Sequence, residues 1–86
     1  MPKVLLTREE TANLAANHYK SNNPEIPSPY NVSYDFPLHV ENILNGKSSN
    51  IDYKILIQCG LQWNLFTIDD CDSQLQSTLL EWSATP

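Results

Sequence analysis

The chain has 86 residues, of which 41% are apolar and 17% charged, and its formal net charge at pH 7 is −5. A chain of this length builds one small core, so we expect a single domain over residues 1–86 and no separate catalytic domain. The apolar fraction is too high for wholesale disorder, and no apolar run reaches the ~18 residues that cross a bilayer. We therefore expect a cytoplasmic protein that has no secretory signal and no membrane partner.

The charges are distributed unevenly along the chain. All the basic residues precede residue 55: Lys3, Arg8, Lys20, Lys47 and Lys54. From residue 55 to residue 86 the charged side chains are all carboxylates: Asp69, Asp70, Asp72 and Glu81. A surface of one sign attracts partners of the opposite sign and speeds their encounter. The acidic C-terminal segment, residues 69–86, is therefore predicted to contact a partner with a basic surface.

The clearest helix signal lies near the N-terminus. Thr7 followed by Glu10 fits a capping box, which predicts a helix from about Arg8 to Lys20. Small apolar side chains recur on one face of this helix and would allow its close approach to a sheet. Residues 22–29, rich in Asn and Pro, are predicted to form a stiff connector. The apolar residues 4–6 could add a short edge strand.

The middle of the chain gives a strand signal followed by an ambiguous one. Aromatic and β-branched residues alternate with polar ones from Tyr30 to Phe36, which predicts a half-buried strand. Pro37 suits a first helical turn, so we expect a short helix over about residues 37–44. The alternative is a hairpin that turns at Asn45 and Gly46, because that dipeptide favours two-residue hairpin loops.

Two apolar runs on either side of Gly60 predict a β-hairpin, with strands from Tyr53 to Cys59 and from Gln62 to Ile68. Both faces of this hairpin carry apolar residues, as expected of central strands. A final helix is predicted over about residues 71–84, with Asp70 or Asp72 as its cap.

The predicted fold is therefore α+β, in the order α-β-α-β-β-α. An antiparallel sheet of about three strands would pack against two or three helices.

Few side chains suggest catalysis or metal binding. The two cysteines, Cys59 and Cys71, lack the spacing of a redox pair or a zinc site, and the hairpin would hold them too far apart for a disulfide. His18 and His39 have no companion at the spacing of a metal site or a catalytic triad. The aspartates near residue 70 are explained by helix capping, without an ion. We expect no enzyme activity, no metal and no cofactor.

Nucleic-acid binding is also disfavoured, because affinity for phosphates needs basic side chains and this chain has 5 against 10 acidic ones. The remaining class is a protein-binding or regulatory module. One form would be a small acidic inhibitor of a basic nucleic-acid-handling complex, of the phage or mobile-element type, such as an anti-CRISPR or anti-defence protein. The alternative is an accessory subunit of a larger complex or of a homo-oligomer. A small enzyme is a distant third.

The candidate partner-binding residues are Asp69, Asp70, Glu81 and Trp63. The carboxylates would attract the basic partner, and Trp63 would present a partly exposed ring at the hairpin tip. Trp82 continues the apolar stripe of the last helix and is predicted to anchor that helix in the core.

Overall fold

The computed structural model describes residues 4–32 and 34–84, and their regular structure is helical. The α-helices are α1 (Arg8–Asn22), α2 (Phe36–Leu44), α3 (Asn50–Gln62) and α4 (Ser73–Ala84), and a short 3₁₀ helix (Ile68–Asp70) precedes α4. The predicted α+β fold with an antiparallel sheet is therefore wrong. Within the described residues the extended pairing is a single isolated parallel bridge between Leu6 and Cys71, so the predicted edge strand at residues 4–6 shrinks to that bridge.

Helix α1 begins as the capping box predicts. The amide of Glu10 donates to the hydroxyl oxygen of Thr7, and the Glu10 carboxylate accepts from the amide of Thr7 at 2.9 Å. The helix ends at Asn23, whose left-handed backbone (φ 46°) is a common helix stop. Ala12, Ala15 and Ala16 are fully buried. These small side chains let α1 pack closely on α3 and α2, and not on a sheet as the sequence predicts.

Helix α2 confirms the predicted helix at residues 37–44 against the alternative hairpin. Asp35 caps it by accepting from the amide of Leu38, and Pro37 lies in its first turn. The strand predicted from Tyr30 to Phe36 is wrong, because residues 30–32 form turns and Phe36 begins the helix; Ser33 lies outside the described residues. Tyr30 and Phe36 are nevertheless buried. The other two members of the alternating set are exposed, Val32 at 78% and Tyr34 at 39%, so the alternation does not mark one buried face.

The predicted hairpin is also wrong, since most of its first strand and turn belong to α3. Ile55, Leu56 and Ile57 are all fully buried, on different sides of the helix. Such a run has no polar face, so its periodicity is lost and its β-branched residues resemble a central strand. The segment that was predicted as the second strand forms a turn at residues 63–64 and an irregular stretch before the 3₁₀ helix.

Gly60 has a packing role in α3 instead of a turn role. A Cβ atom at this position would lie 2.5 Å from Cε2 of Phe66 and 3.3 Å from the Cβ of Ala15. Only glycine therefore lets the buried Phe66 ring lie flat on α3 beside α1. Through this contact the chain after α3 packs back onto the core that α1, α2 and α3 form, which we call the three-helix core.

Helix α4 is attached to that core through one face and through its N-terminal junction. Leu75 and Leu79 are buried, and Trp82 is half-buried against the core, as its place in the apolar stripe predicts. At the junction the amide of Leu6 donates to the backbone carbonyl of Asp70 at 2.8 Å. The amide of Asp72 donates to the backbone carbonyl of Leu6 at 2.9 Å. The extended residue before α1 therefore fixes the start of α4.

Candidate protein-binding surface

The predicted acidic residues lie on the outer side of the C-terminal region. Asp69 is exposed in the 3₁₀ helix, and Glu81 is exposed on α4. Asp70 is less exposed, because its carboxylate accepts from the amide and the hydroxyl of Thr67 at 2.7 and 3.0 Å. Asp69 and Asp70 are thus brought together by the 3₁₀ helix, whereas Glu81 lies about two turns along α4.

Asp72 has the capping role that the sequence predicts. Its Oδ1 atom accepts from the amide of Leu75 at 2.8 Å, at the N-terminus of α4. A carboxylate there satisfies an otherwise unpaired amide and interacts favourably with the helix dipole. Asp70 and Asp72 therefore have structural reasons to be acidic. Among the hydrogen bonds of the described residues, none caps a helix through the Asp69 carboxylate. Substituting Asp69 therefore tests the effect of surface charge with the least effect on the fold.

Trp63 is not at a hairpin tip, so the premise for its predicted exposure is wrong. It ends α3, and its indole N–H donates to the backbone carbonyl of Glu25 at 2.9 Å. Its ring lies 5.4 Å from the His18 ring and 6.2 Å, edge-on, from the Phe36 ring. Trp63 therefore ties the Asn- and Pro-rich connector to three helices; its role in partner binding stays a prediction.

An apolar groove runs between the C-terminal half of α3 and the outer face of α4. We call it the α3–α4 groove; its volume is about 260 Å³. Its apolar lining consists of Leu61, Ile68, Leu79 and Leu80. Leu80 is 72% exposed and Ile68 is 53% exposed. Exposed apolar side chains that share one groove are typical of interaction sites, whereas scattered ones are ordinary.

Three polar residues on the rim of this groove, Gln58, Gln76 and Ser83, have partners within the protein. The side-chain amide of Gln76 donates from Nε2 to the backbone carbonyls of Ile68 and Cys71, both at 3.0 Å. The Tyr30 hydroxyl donates to the side-chain oxygen of Gln58, and the Ser83 hydroxyl donates to the carbonyl of Leu79 at 3.1 Å. These bonds hold the rim in place, so the groove offers a fixed, mainly apolar surface.

A second depression lies on the opposite side of α4, between that helix and the start of α1. It is lined mainly by polar residues, among them Arg8, Glu9 and Gln74. The Arg8 guanidinium lies 4.2 Å over the Tyr53 ring and also contacts Glu9 and Asn50. Its positive charge is thus already engaged, which makes this side less suited to an acidic or a basic partner.

A buried polar network, which the sequence analysis does not predict, joins α2 and α3. Asp52 is only 2% exposed, and its carboxylate accepts from His39 Nδ1 at 2.6 Å. It also accepts from Asn42 at 3.3 Å and from the amide and hydroxyl of Ser49 at 2.8 and 3.0 Å. Burial raises the pKa of Asp52, but the hydrogen bonds from His39, Ser49 and Asn42 outweigh it, so the pKa lies below its ordinary value.

This network has the form of a structural pin. Both oxygens of the Asp52 carboxylate accept hydrogen bonds, Oδ1 from His39 and Oδ2 from Ser49. The network therefore joins α2 to the first turn of α3.

Both cysteines are free and buried. Burial raises the pKa of Cys59 to about 12. Burial, and then the charges of Asp70 and Asp72, also raise the pKa of Cys71. Protonated, inaccessible thiols are poor nucleophiles and poor metal ligands. Among residues 4–32 and 34–84, moreover, no cluster of three or more His, Cys, Asp or Glu side chains is arranged to hold a metal ion.

Within the described residues, no helix has the length and apolar character that crossing a membrane requires. Comparison with known proteins gives no match: no family model, no curated protein and no solved structure is significantly similar to the chain. The function must therefore be argued from the surface itself.

Proposed function

We propose that the chain is a non-catalytic, regulatory protein-binding module that acts in the cytoplasm and recognises a partner with a basic surface. The observation that supports it best is that the residues lining the α3–α4 groove all belong to residues 55–86, the part of the sequence that has no basic side chain. Leu61, Ile68, Leu79 and Leu80 all lie after residue 54, where every charged side chain is a carboxylate. An apolar centre inside a polar rim is the usual composition of a protein-binding surface. Carboxylates elsewhere on the same segment would speed the encounter with a basic partner.

The size of the groove favours a protein partner over a small ligand. Its volume of about 260 Å³ lies below the ~300–1,000 Å³ of pockets that enclose small molecules. The groove is also open along its length and its rim groups are already hydrogen-bonded. It therefore suits a few apolar side chains that project from a larger surface.

A basic partner surface is found on proteins that handle nucleic acids, because they must neutralise phosphates. A small acidic protein that covers such a surface would block access of nucleic acid to it. Inhibition of a basic nucleic-acid-handling complex, as phage or mobile-element proteins exert against host defence, is accordingly the biological role that we propose.

The test is affinity capture from the native host, followed by kinetics on the captured partner. We expect a basic partner whose association rate falls steeply as the salt concentration rises, because exposed charges steer the encounter. Asp69→Asn should slow association. Glu9→Gln is the matched control: it removes one carboxylate from an exposed position on the opposite side of α4, and should change the rate less.

Two results would contradict the proposal. One is a partner whose association rate is the same at low and moderate salt, which would remove the electrostatic part. The other is a protein that captures nothing and instead self-associates through the groove, which would favour the alternative of a subunit of a homo-oligomer.

A further inference from the structure

We propose that Asn45 is a site of spontaneous modification, where the side-chain amide is lost by deamidation and the C-terminal end of α2 is loosened as a result. Three features of the molecule support it: the residue that follows Asn45, the exposure and backbone geometry of the pair, and the contacts that the end of α2 holds in place. None of them depends on the proposed binding function.

The residue after Asn45 makes this position chemically different from the other asparagines. Deamidation begins when the backbone nitrogen of the next residue attacks Cγ of the asparagine side chain. Asn45 is the one asparagine of the chain that a glycine follows. Glycine has no Cβ, so Gly46 neither shields its nitrogen nor restricts the backbone rotation that brings this atom to Cγ. At Asn23 the reaction is blocked, because Pro24 has no N–H.

The reaction needs no reagent except water. The Gly46 nitrogen gives its proton to solvent and forms a bond to Cγ of Asn45. The bond from Cγ to Nδ2 breaks, and the side-chain nitrogen takes up a proton and leaves as ammonia. Water then opens the cyclic imide at one of its two carbonyl carbons. Opening at one carbon gives aspartate, and opening at the other gives isoaspartate, in which the main chain runs through the former side chain.

The surroundings of the pair leave room for this chemistry. Asn45 and Gly46 are both exposed, and the Asn45 side chain has no hydrogen bond within the part of the chain that the structure describes. The backbone of Gly46 is left-handed, with φ of 71°. Apart from its chain neighbours, no atom lies within 4 Å of the place where a Cβ of Gly46 would be. Water therefore reaches both reacting groups.

The end of α2 controls how often the ring can close. The amide of Gly46 donates to the carbonyl of Ile43 at 3.2 Å, and the amide of Lys47 donates to that of Asn42 at 3.0 Å. These two bonds form a Schellman motif. With ψ of Asn45 at −1°, the Gly46 nitrogen is eclipsed with the backbone nitrogen of Asn45 and not with its Cβ. The ring therefore closes only when this last turn opens, as helix ends do.

Either product weakens the end of α2. Isoaspartate lengthens the main chain, so the two bonds of the Schellman motif lose their register. Aspartate places a carboxylate at the negative end of the helix dipole, one turn after Glu41, in a last turn that has no basic residue. The loop that follows carries Ser49, whose amide donates to Asp52 at 2.8 Å. Loosening of this loop therefore weakens the pin between α2 and α3.

The first experiment incubates the whole chain at neutral pH and follows each asparagine by peptide mass spectrometry, with the isoaspartate peptide separated by chromatography. Asn50 is the internal control, because it is also exposed but precedes Ile51, whose branched side chain shields the reacting nitrogen. Asn45 should convert while Asn50 stays intact, and Asn45→Gln should show no conversion at this position. In protein unfolded by urea, Asn45 should convert about tenfold faster, the factor expected from a small opening free energy.

Two results of this experiment would overturn the proposal. One is conversion of Asn45 and Asn50 at equal rates, which would show that Gly46 confers no reactivity. The other is an Asn45 that converts in urea but stays intact in the folded protein, which would show that the end of α2 does not open.

The second experiment tests the consequence for the fold. Asn45→Asp reproduces the aspartate product and should lower the melting temperature by a few degrees, because its charge opposes the helix dipole. Asn50→Asp is the matched control: it adds the same charge in the first turn of α3, where the dipole favours it, and should not lower the melting temperature. Equal melting temperatures for Asn45→Asp and the wild type would overturn the loosening of α2.

Discussion

Helices α3 and α4 have nearly the same length, 13 and 12 residues, yet they contribute in opposite ways. Helix α3 buries residues on several sides and is enclosed by α1, α2 and Phe66. Helix α4 buries only Leu75 and Leu79 and leaves Leu80 exposed beside a groove. The difference indicates a division of roles, in which α1, α2 and α3 hold the fold and α4 presents the surface that we propose for binding.

The largest effect should come from the aromatic contact inside the three-helix core. Phe36 is 1% exposed and its ring packs edge-on against Tyr19 and Trp63. Phe36→Ala should lower the free energy of unfolding by about 3–5 kcal/mol, measured by urea denaturation, because it opens a cavity among these rings. Leu38→Ala, two residues further along α2 and exposed, should change it by less than about 0.5 kcal/mol. Equal midpoints for the two variants would contradict the assigned core.

The pin between α2 and α3 should give the next largest effect, with a characteristic pH dependence. Asp52→Asn should destabilise the protein by about 1–3 kcal/mol near neutral pH, because His39 and Ser49 lose a charged acceptor. The folded-state pKa of Asp52 lies below the ordinary value of 3.8. Its contribution to stability is therefore present above that value and is lost as the pH falls through the folded pKa.

The measurement is the free energy of unfolding at about pH 6 and about pH 3 for both proteins. The wild type should lose more stability on acidification than Asp52→Asn, since the variant lacks this titrating group. A parallel loss in the two proteins would show that Asp52 does not carry the pH dependence assigned to it.

Gly60→Ala tests the contact that joins α3 to the chain that leads to α4. In an ordinary helix interior this substitution stabilises by up to ~1 kcal/mol. Here the new Cβ would lie 2.5 Å from the Phe66 ring, so we expect destabilisation by about 1–2 kcal/mol in thermal or chemical denaturation. The double variant Gly60→Ala with Phe66→Leu should recover part of the loss. A stabilised Gly60→Ala protein would mean that Phe66 does not lie on α3.

The cysteines provide a smaller but direct comparison of the two regions. Cys59 lies in α3 and Cys71 lies between the 3₁₀ helix and α4, and both are fully buried. Each must be exposed by local opening before a thiol reagent can react, and the region with fewer buried contacts should open more easily. We expect Cys71 to be labelled before Cys59, by a factor of ~10, when labelled peptides are identified by mass spectrometry. Labelling in the reverse order would place the weaker packing in α3.

The sequence predicted the helices that have a clear cap or a clear polar face. Thr7 and Glu10 indicated α1, and Pro37 indicated α2. A similar capping pattern, Ser49 with Asp52, begins α3, and the sequence prediction did not include it. The apolar run of residues 55–57 favours a strand locally, whereas the helix is indicated by polar residues at i+4 spacing, none of them buried: Asn50, Lys54, Gln58 and Gln62.

The candidate surface was predictable only in part. The charge asymmetry of residues 69–86 is a property of the sequence, whereas the α3–α4 groove depends on α3 being a helix and on where α4 lies against it. The contact between His39 and Asp52 joins residues 13 apart on different helices, and it exists only once α2 and α3 cross. Long-range placement, which propensity and spacing do not encode, is the part that the structure supplies.

Hydrogen–deuterium exchange of the protein tests the division of roles most directly. Amides of α3 should exchange slowest and those of α4 faster, because protection follows the extent of buried packing. Slowest exchange in α4, or equal protection of α3 and α4, would contradict the account.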